Sequence, residues 1–156
     1  MHAIKTQQFA HKLYLKKIPF FPRLITWILF HTCHCDLSAR TVIGKRTTLG
    51  HNGMGIVINQ YSVIGDDCVI AQNVTFGGSD GKAPTLGNYC YVGCNSVILG
   101  GVQIGDNVTV GACSFVNCDI PDNAVAVGSP AKVIKVKNED EVKAHKEMID
   151  QMHHRK

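Results

Sequence analysis

An aliphatic residue followed by glycine or another small residue recurs every six positions, and this period excludes most folds open to a chain of 156 residues. The pairs are Ile43-Gly44, Leu49-Gly50, Ile58-Asn59, Ile64-Gly65, Ile70-Ala71 and Phe76-Gly77. After an interruption come Leu86-Gly87, Val92-Gly93, Ile98-Leu99, Ile104-Gly105, Val110-Gly111 and Val116-Asn117. Four positions beyond the aliphatic lies a second small or branched residue: Thr47, Ser62, Cys68, Val74, Cys90, Ser96, Val102, Val108, Ser114 and Ile120. A period of six does not match an α-helix at about 3.6 residues per turn, and a stretch this rich in Gly and β-branched residues disfavours one. It does match a solenoid in which each unit supplies one short strand and one corner. The aliphatic points into a narrow prism, and equivalent positions stack about 4.8 Å apart. The corner takes a residue tolerant of unusual backbone angles, hence Gly or Asn. Residues 36–131 therefore read as a parallel β-helix, an all-β fold.

The frame slips twice. Three extra residues fall around His51-Asn52-Gly53-Met54-Gly55, and four fall in the stretch from Gly77 to Thr85. A slip in a strict repeat must bulge outwards, and loops on a rigid scaffold are where function concentrates. The ends differ from the middle. Residues 4–17 have helical character, and the apolar run to Phe30 is broken by Pro19 and Pro22. A repeat array needs capped ends, so this segment is expected to cover the first coil. Pro121 and Pro130 end the regular coils, and residues 138–154 read as a charged helix with Val142, Ala144, Met148, Ile149 and Met152 on a partial apolar stripe. The expected division is a helical, apolar cap over 1–35, a β-helix over 36–134 and a charged helix over 135–156.

Charge is uneven. Residues 1–31 hold Lys5, Lys12, Lys16, Lys17 and Arg23 with no acid, while residues 36–131 carry four basic and seven acidic residues. A basic patch confined to one end lacks the stripe of a nucleic-acid footprint, so no nucleic-acid partner is expected. It could touch a membrane surface or an anionic ligand, or be an ordinary solvated helix face. No segment reaches the roughly 18 apolar residues that span a bilayer. The N-terminus also makes a poor signal peptide, which leads to an expected cytoplasmic location. Several of the seven cysteines occupy interior-type positions of the repeat and read as reduced thiols. His31, Cys33, His34 and Cys35 cluster, but no second ligand pair follows at zinc-finger spacing, so no metal is expected there.

These residues resemble a known family. Residues 36–134 look like the hexapeptide-repeat acyltransferases, and specifically the serine-acetyltransferase-like branch. The stretches that carry the resemblance are Asp36-Leu37-Ser38, Gly50-His51, Gly55-Ile56-Val57-Ile58, Gln72-Asn73-Val74-Thr75-Phe76-Gly77-Gly78, Val92-Gly93, Ile98-Leu99-Gly100, Val110-Gly111-Ala112 and Gly128-Ser129-Pro130-Ala131-Lys132. The resemblance implies a left-handed β-helix, a homotrimer, and acetyl-CoA in a groove between neighbouring subunits, with direct transfer to an acceptor hydroxyl. It places the catalytic histidine and its acidic partner on His51 and Asp36, and the oxyanion donor on Gly78. Acetyl-CoA contacts fall on Gly77, Cys94, Ala112 and the turn Gly128, Ser129, Ala131 and Lys132. The sequence departs from the branch in one loop. Where serine acetyltransferases carry an Arg-His pair that helps bind the amino-acid carboxylate, this chain has a shorter loop with Lys82-Ala83-Pro84. Their aspartate before the histidine is Gly50 here, and about 35 residues stand in place of their large N-terminal domain. Losing a carboxylate-binding pair should weaken a charged acceptor by several kcal/mol, on the order of two charge-assisted bonds. The acceptor is therefore expected to be a sugar, as in the short members of the branch that work in capsule or lipopolysaccharide synthesis, with L-serine the alternative.

The residues themselves point the same way. His51 is the only histidine between residues 35 and 144 and sits at the first slip. Deprotonating an alcohol near neutral pH calls for a positioned base in imidazole's range. A carboxylate just under one turn earlier can orient that ring and stabilise the imidazolium. Gly77-Gly78 offers a bare amide to an oxyanion, or simply turns the chain. A γ-type carbonic anhydrase on the same scaffold needs three histidine ligands, and only His51 lies within the coils. A non-catalytic binding β-helix is the other alternative, and the joint presence of Asp36, His51 and Gly78 argues against it.

Overall fold

The repeat closes into a three-sided parallel β-helix in a computed structural model that describes residues 2–154. One face stacks β1 (Asp36–Leu37), β4 (Val57–Ile58), β7 (Thr75–Gly77), β10 (Val97–Leu99) and β13 (Phe115–Val116). The second stacks β2 (Val42–Ile43), β5 (Val63–Ile64), β8 (Thr85–Leu86) and β11 (Gln103–Ile104). The third stacks β3 (Thr48–Leu49), β6 (Val69–Ile70), β9 (Tyr91–Val92), β12 (Thr109–Val110) and β14 (Ala124–Gly128), closed by antiparallel β15 (Ala131–Val136).

The register records both slips. Ile58 pairs with Phe76 and Ile98 with Val116, eighteen residues on, as three six-residue units require. Leu37 pairs with Ile58 and Leu49 with Ile70, a step longer by three, and Ile64 pairs with Leu86, longer by four. Val110 pairs with Ala126, a step shorter by two, so the coil carries on beyond Pro121 with a tightened turn.

All twelve aliphatics of the repeat are buried, as are all ten residues four positions further on. Three of the four polar members are satisfied locally: Thr47 Oγ1 donates to the Gly65 carbonyl at 2.7 Å, Ser96 Oγ donates to the Gly111 carbonyl at 2.9 Å, and Ser114 Oγ accepts the Gly128 N–H at 3.2 Å. One corner is a polar ladder. Asp66, Asn88, Asp106 and Asp122 each accept a backbone N–H from the coil before, those of Lys45, Asp66, Asn88 and Asp106, at 2.6–2.9 Å.

The first coil has no preceding coil, so its outer backbone groups need other partners. Helix α1 (Ala3–Leu15) supplies them. Gln7, fully buried, donates its Nε2 to the carbonyls of Ser38 at 2.9 Å and Thr41 at 3.0 Å. Gln8 Nε2 donates to the Gly44 carbonyl at 3.0 Å, and His11 Nδ1 lies 2.8 Å from the Ala39 carbonyl. Pro22 opens helix α2 (Phe21–Cys33) in its first turn, where a missing N–H costs nothing. The apolar run is thus a helix rather than a broken segment. Phe20, Phe21, Trp27 and Phe30 stay exposed, and no helix among the described residues is long and apolar enough to cross a membrane.

At the other end, helix α3 (Glu139–His154) starts with a reciprocal cap: Glu141 N–H donates to Asn138 Oδ1 at 2.9 Å, and Asn138 N–H donates to Glu141 Oε2 at 3.1 Å. It folds back along the polar corner. Its buried face carries His145 and Ile149, whereas Ala144 and Met148 are exposed. This corrects the expected stripe: the helix crosses a corner of polar backbone, and His145 Nε2 meets the Tyr89 carbonyl there at 2.7 Å.

Candidate active site

The first slip is a tight turn, Gly50–Gly53, that leaves the third face and leads back to the first. Inside it His51 (φ 46°, ψ 41°) and Asn52 (φ 57°, ψ 29°) both adopt left-handed backbone. Such a conformation costs roughly 1–2 kcal/mol for a residue with a side chain, and two in succession must be held by their surroundings. The holding is visible. Asn52 Oδ1 accepts the Ala3 N–H at 2.8 Å, and the Gly55 N–H donates to the His34 carbonyl at 2.9 Å. Gly53, buried against Ala3 and Cys35, has a φ of 89° that favours glycine. The His51 loop is thereby pinned to the segment that leads into Asp36.

His51 and Asp36 share one corner of the prism, and both side chains are exposed. Among the described residues the His51 ring makes no hydrogen bond or ion pair, so the expected contact with Asp36 is not formed within a single chain. Beneath Asp36, burial raises the Cys35 thiol to about 11, with Cys33 and Asp36 adding to the shift. Cys35 is therefore a neutral packing thiol. Asp36 opens a cleft of about 440 Å³ along the first face that also includes Ser38, Asn59, Gln60 and Gly77. No cationic side chain lines it.

The second slip begins at the far end of that face. Ser79 and Lys82 exchange backbone hydrogen bonds at 2.9–3.0 Å, and Asp80 and Gly81 between them have φ of 51° and 74°. The four added residues form a minimal hairpin with the turn chemistry Asp-Gly favours. Gly78, just before it, makes no backbone hydrogen bond through its amide among the described residues. A Cβ at Gly78 would lie 2.6 Å from Asn59 Nδ2 and 3.0 Å from the Lys82 carbonyl, so the position requires glycine.

The remaining candidates form one column. Val92, Val110 and Ala126 are in register, so Cys94, Ala112 and Gly128, each two residues on, stack along the corner between the third and first faces. The Cys113 N–H donates to the Cys94 carbonyl at 2.8 Å, and the Gly128 N–H to Ser114 Oγ at 3.2 Å. Extending the register upward through Ile70 and Leu49 adds Gln72 and puts His51 at the head. Gln72 was not among the residues singled out from sequence, although its offset from Ile70 equals that of His51 from Leu49. Ser129, Ala131 and Lys132 follow at the foot, across the cis Ser129–Pro130 bond; Ala131 is buried while Ser129 and Lys132 are exposed. The His31/Cys33/His34/Cys35 cluster is split between surface and interior, and among the described residues no group of three or more side chains could hold a metal ion.

The family described as bacterial transferase hexapeptide (six repeats) matches residues 83–118. A serine acetyltransferase of Synechococcus elongatus is 37% identical over 136 residues, covering 85% of this chain and 55% of its own length. One of Helicobacter pylori is 36% identical over 138 residues, covering 86% of this chain and 80% of its own. Among solved structures, the serine acetyltransferase of Brucella abortus in complex with coenzyme A superposes with a TM-score of 0.83 at 27% identity, over 88% of this chain and 56% of that one. The fold is the left-handed β-helix of that class.

Proposed function

This chain belongs to the serine acetyltransferase family of hexapeptide-repeat transferases, and on that premise we propose that it moves an acetyl group from acetyl-CoA to an acceptor hydroxyl. The observation that carries the reading is the placement of His51 at the head of the column Gln72, Cys94, Ala112 and Gly128. A co-substrate lying along that corner brings its reactive end to the histidine. The Brucella abortus relative, whose structure is a complex with coenzyme A, supports the same assignment.

In this reading His51 accepts the hydroxyl proton as the oxygen attacks the thioester carbonyl. The Gly78 N–H donates to the oxygen that becomes negative, and its freedom from other hydrogen bonds leaves it available. The imidazolium then returns the proton to the departing sulfur, leaving an acetyl ester and free CoA. In the same reading Asp36, which follows the segment the His51 loop is pinned to, turns to the charged ring and steadies it. We further propose a homotrimer, which would bury the outward Val42 and Val63 of the second face, each more than 40% exposed in the single chain.

The relatives' name supports L-serine as the acceptor. A second reading, a sugar hydroxyl, is favoured by one observation: the cleft at Asp36 has no cation to meet an amino-acid carboxylate. Thiol release from acetyl-CoA, measured with L-serine and with a panel of sugars and sugar nucleotides, tests both. Release with neither class would reject acetyl transfer to hydroxyls, and faster release with L-serine would reject the sugar reading.

A further inference from the structure

The Asp36 cleft does not end at Gln60. A second groove of about 460 Å³ runs on from it, sharing Ser38 and Gln60 and passing between the first coil and the tip of the α1–α2 hairpin. Its walls include the aromatic rings of Tyr14 and Phe20 and the side chains of Arg23 and Arg40. The charges are unusual for their setting. Residues 1–35 contain no acid, and neither arginine has a carboxylate partner among the described residues. Arg40 instead lies over the Tyr14 ring, 5.8 Å from its centroid, with Nη1 donating to Gln60 Oε1 at 3.4 Å. Its guanidinium is thus positioned by an aromatic face and a neutral amide, with donors left over.

The spacing is informative. Arg40 follows Asp36 by four positions, so their Cα atoms lie no more than about 13 Å apart. L-Serine carries its carboxylate on the carbon next to the one bearing its hydroxyl, so it is too small to fill both a cleft of about 440 Å³ and a groove of about 460 Å³. A hexose ring bearing a phosphate or diphosphate on its far side can occupy both. Arginine forks suit phosphate oxygens, and the flanking rings suit a sugar face or an apolar aglycone.

We propose that this groove is the acceptor subsite for a glycosyl phosphate or diphosphate: the sugar lies in the Asp36 cleft, and Arg23 and Arg40 hold the phosphate oxygens. The proposal rests on the sugar reading above. The diphosphate comes from a soluble nucleotide sugar or a polyprenyl-linked one, and the chemistry at the arginines is the same.

The test uses the full chain and the probes UDP-N-acetylglucosamine and methyl N-acetylglucosaminide. Equilibrium binding is measured without acetyl-CoA. The diphosphate compound should bind at least about tenfold more tightly than the neutral glycoside, and Arg23→Gln or Arg40→Gln should each remove most of that difference. Lys45→Gln, a surface cation outside the groove, should leave it unchanged, with thermal unfolding showing that all variants fold. Equal binding of the two probes overturns the proposal. So does a loss confined to CoA affinity in the arginine variants, which would give the groove to the donor. Turnover of L-serine alone, with KM unchanged in Arg40→Gln, likewise overturns it while acetyl transfer stands. Arginine-dependent diphosphate binding without acetyl transfer to any acceptor upholds the subsite and rejects the catalytic reading. Farnesyl diphosphate-linked N-acetylglucosamine in neutral micelles separates the sources. Tighter binding than the nucleotide, lost in Phe20→Ala, assigns the lipid-linked form; no gain assigns the nucleotide.

Discussion

Ala112 lies directly beneath Cys94 on the corner between the third and first faces, because Val92 and Val110 pair in register and the Cys113 N–H donates to the Cys94 carbonyl at 2.8 Å. The two residues give the proposed donor site a smooth wall. Cys94 is half-buried and Ala112 exposed, so bulk added at Ala112 projects into the groove and not into the prism. Ala112→Trp should therefore raise KM for acetyl-CoA about tenfold or more while leaving stability within about 0.5 kcal/mol, as surface changes do. Steady-state kinetics beside thermal unfolding would check both halves. Unchanged KM would mean that the donor does not follow this corner.

His51 carries the proton-transfer step. Its replacement by Ala or Asn should lower turnover by roughly 10²–10⁴ with little change in KM. The left-handed backbone at the position makes Asn the gentler substitution, since Asn tolerates that region best among residues with side chains. Matching circular dichroism of His51→Asn and the parent chain would separate chemistry from folding. Activity retained in both variants would remove His51 from the mechanism.

Gly78 makes a sharper demand. A methyl group there meets Asn59 Nδ2 at 2.6 Å and the Lys82 carbonyl at 3.0 Å. The amide side chain can move, but the carbonyl belongs to the closed Ser79–Lys82 hairpin and cannot. Gly78→Ala should displace the free N–H and lower kcat by roughly 10²–10³, the scale for losing one oxyanion donor, with a smaller effect on KM. An equal rise in KM with kcat preserved would point to acceptor binding instead.

The coils were legible in the sequence because a six-residue period leaves few alternatives once Ile43 to Val116 are aligned, and every aligned aliphatic is inside. The two slips were legible for the same reason. What escaped depends on partners that only the folded chain brings together. Gln7, Gln8 and His11 look like polar residues on an unremarkable helix until the orphaned carbonyls of the first coil come to face them. His145 was passed over in favour of Ala144 and Met148, because the surface that α3 crosses is polar backbone and not an apolar face. Gln72 could have been found by applying the offset of His51 from Leu49 to the next coil.

The cap at the N-terminal end should matter for stability. Gln7 is fully buried and its Nε2 serves two carbonyls. Gln7→Ala leaves both unpaired beneath the helix and should cost about 2–4 kcal/mol, from two lost hydrogen bonds and the space left behind. Gln7→Glu keeps the shape but turns the donors into acceptors facing carbonyls, so it should cost at least as much. Urea unfolding of the two variants would test this. A loss below about 0.5 kcal/mol in both would show that water satisfies the first coil without the glutamine.

The C-terminal helix should respond to pH through His145. Burial holds its imidazole below the ordinary range, Lys137 and Lys146 push it further down, and the hydrogen bond to the Tyr89 carbonyl only partly opposes them. The folded chain therefore resists a proton that the unfolded chain accepts near pH 6.5. Stability contributed by this group is fully present above that value and is lost as pH falls through and below it. Between pH 7 and pH 5 the melting temperature should drop, and the protection factors of α3 amides against hydrogen exchange should fall before those of the coils do. His145→Gln keeps a donor for the Tyr89 carbonyl at 2.7 Å but cannot titrate, so it should flatten this acid limb while unfolding similarly at pH 7. An acid limb as steep in His145→Gln as in the parent chain would assign the pH response to other groups.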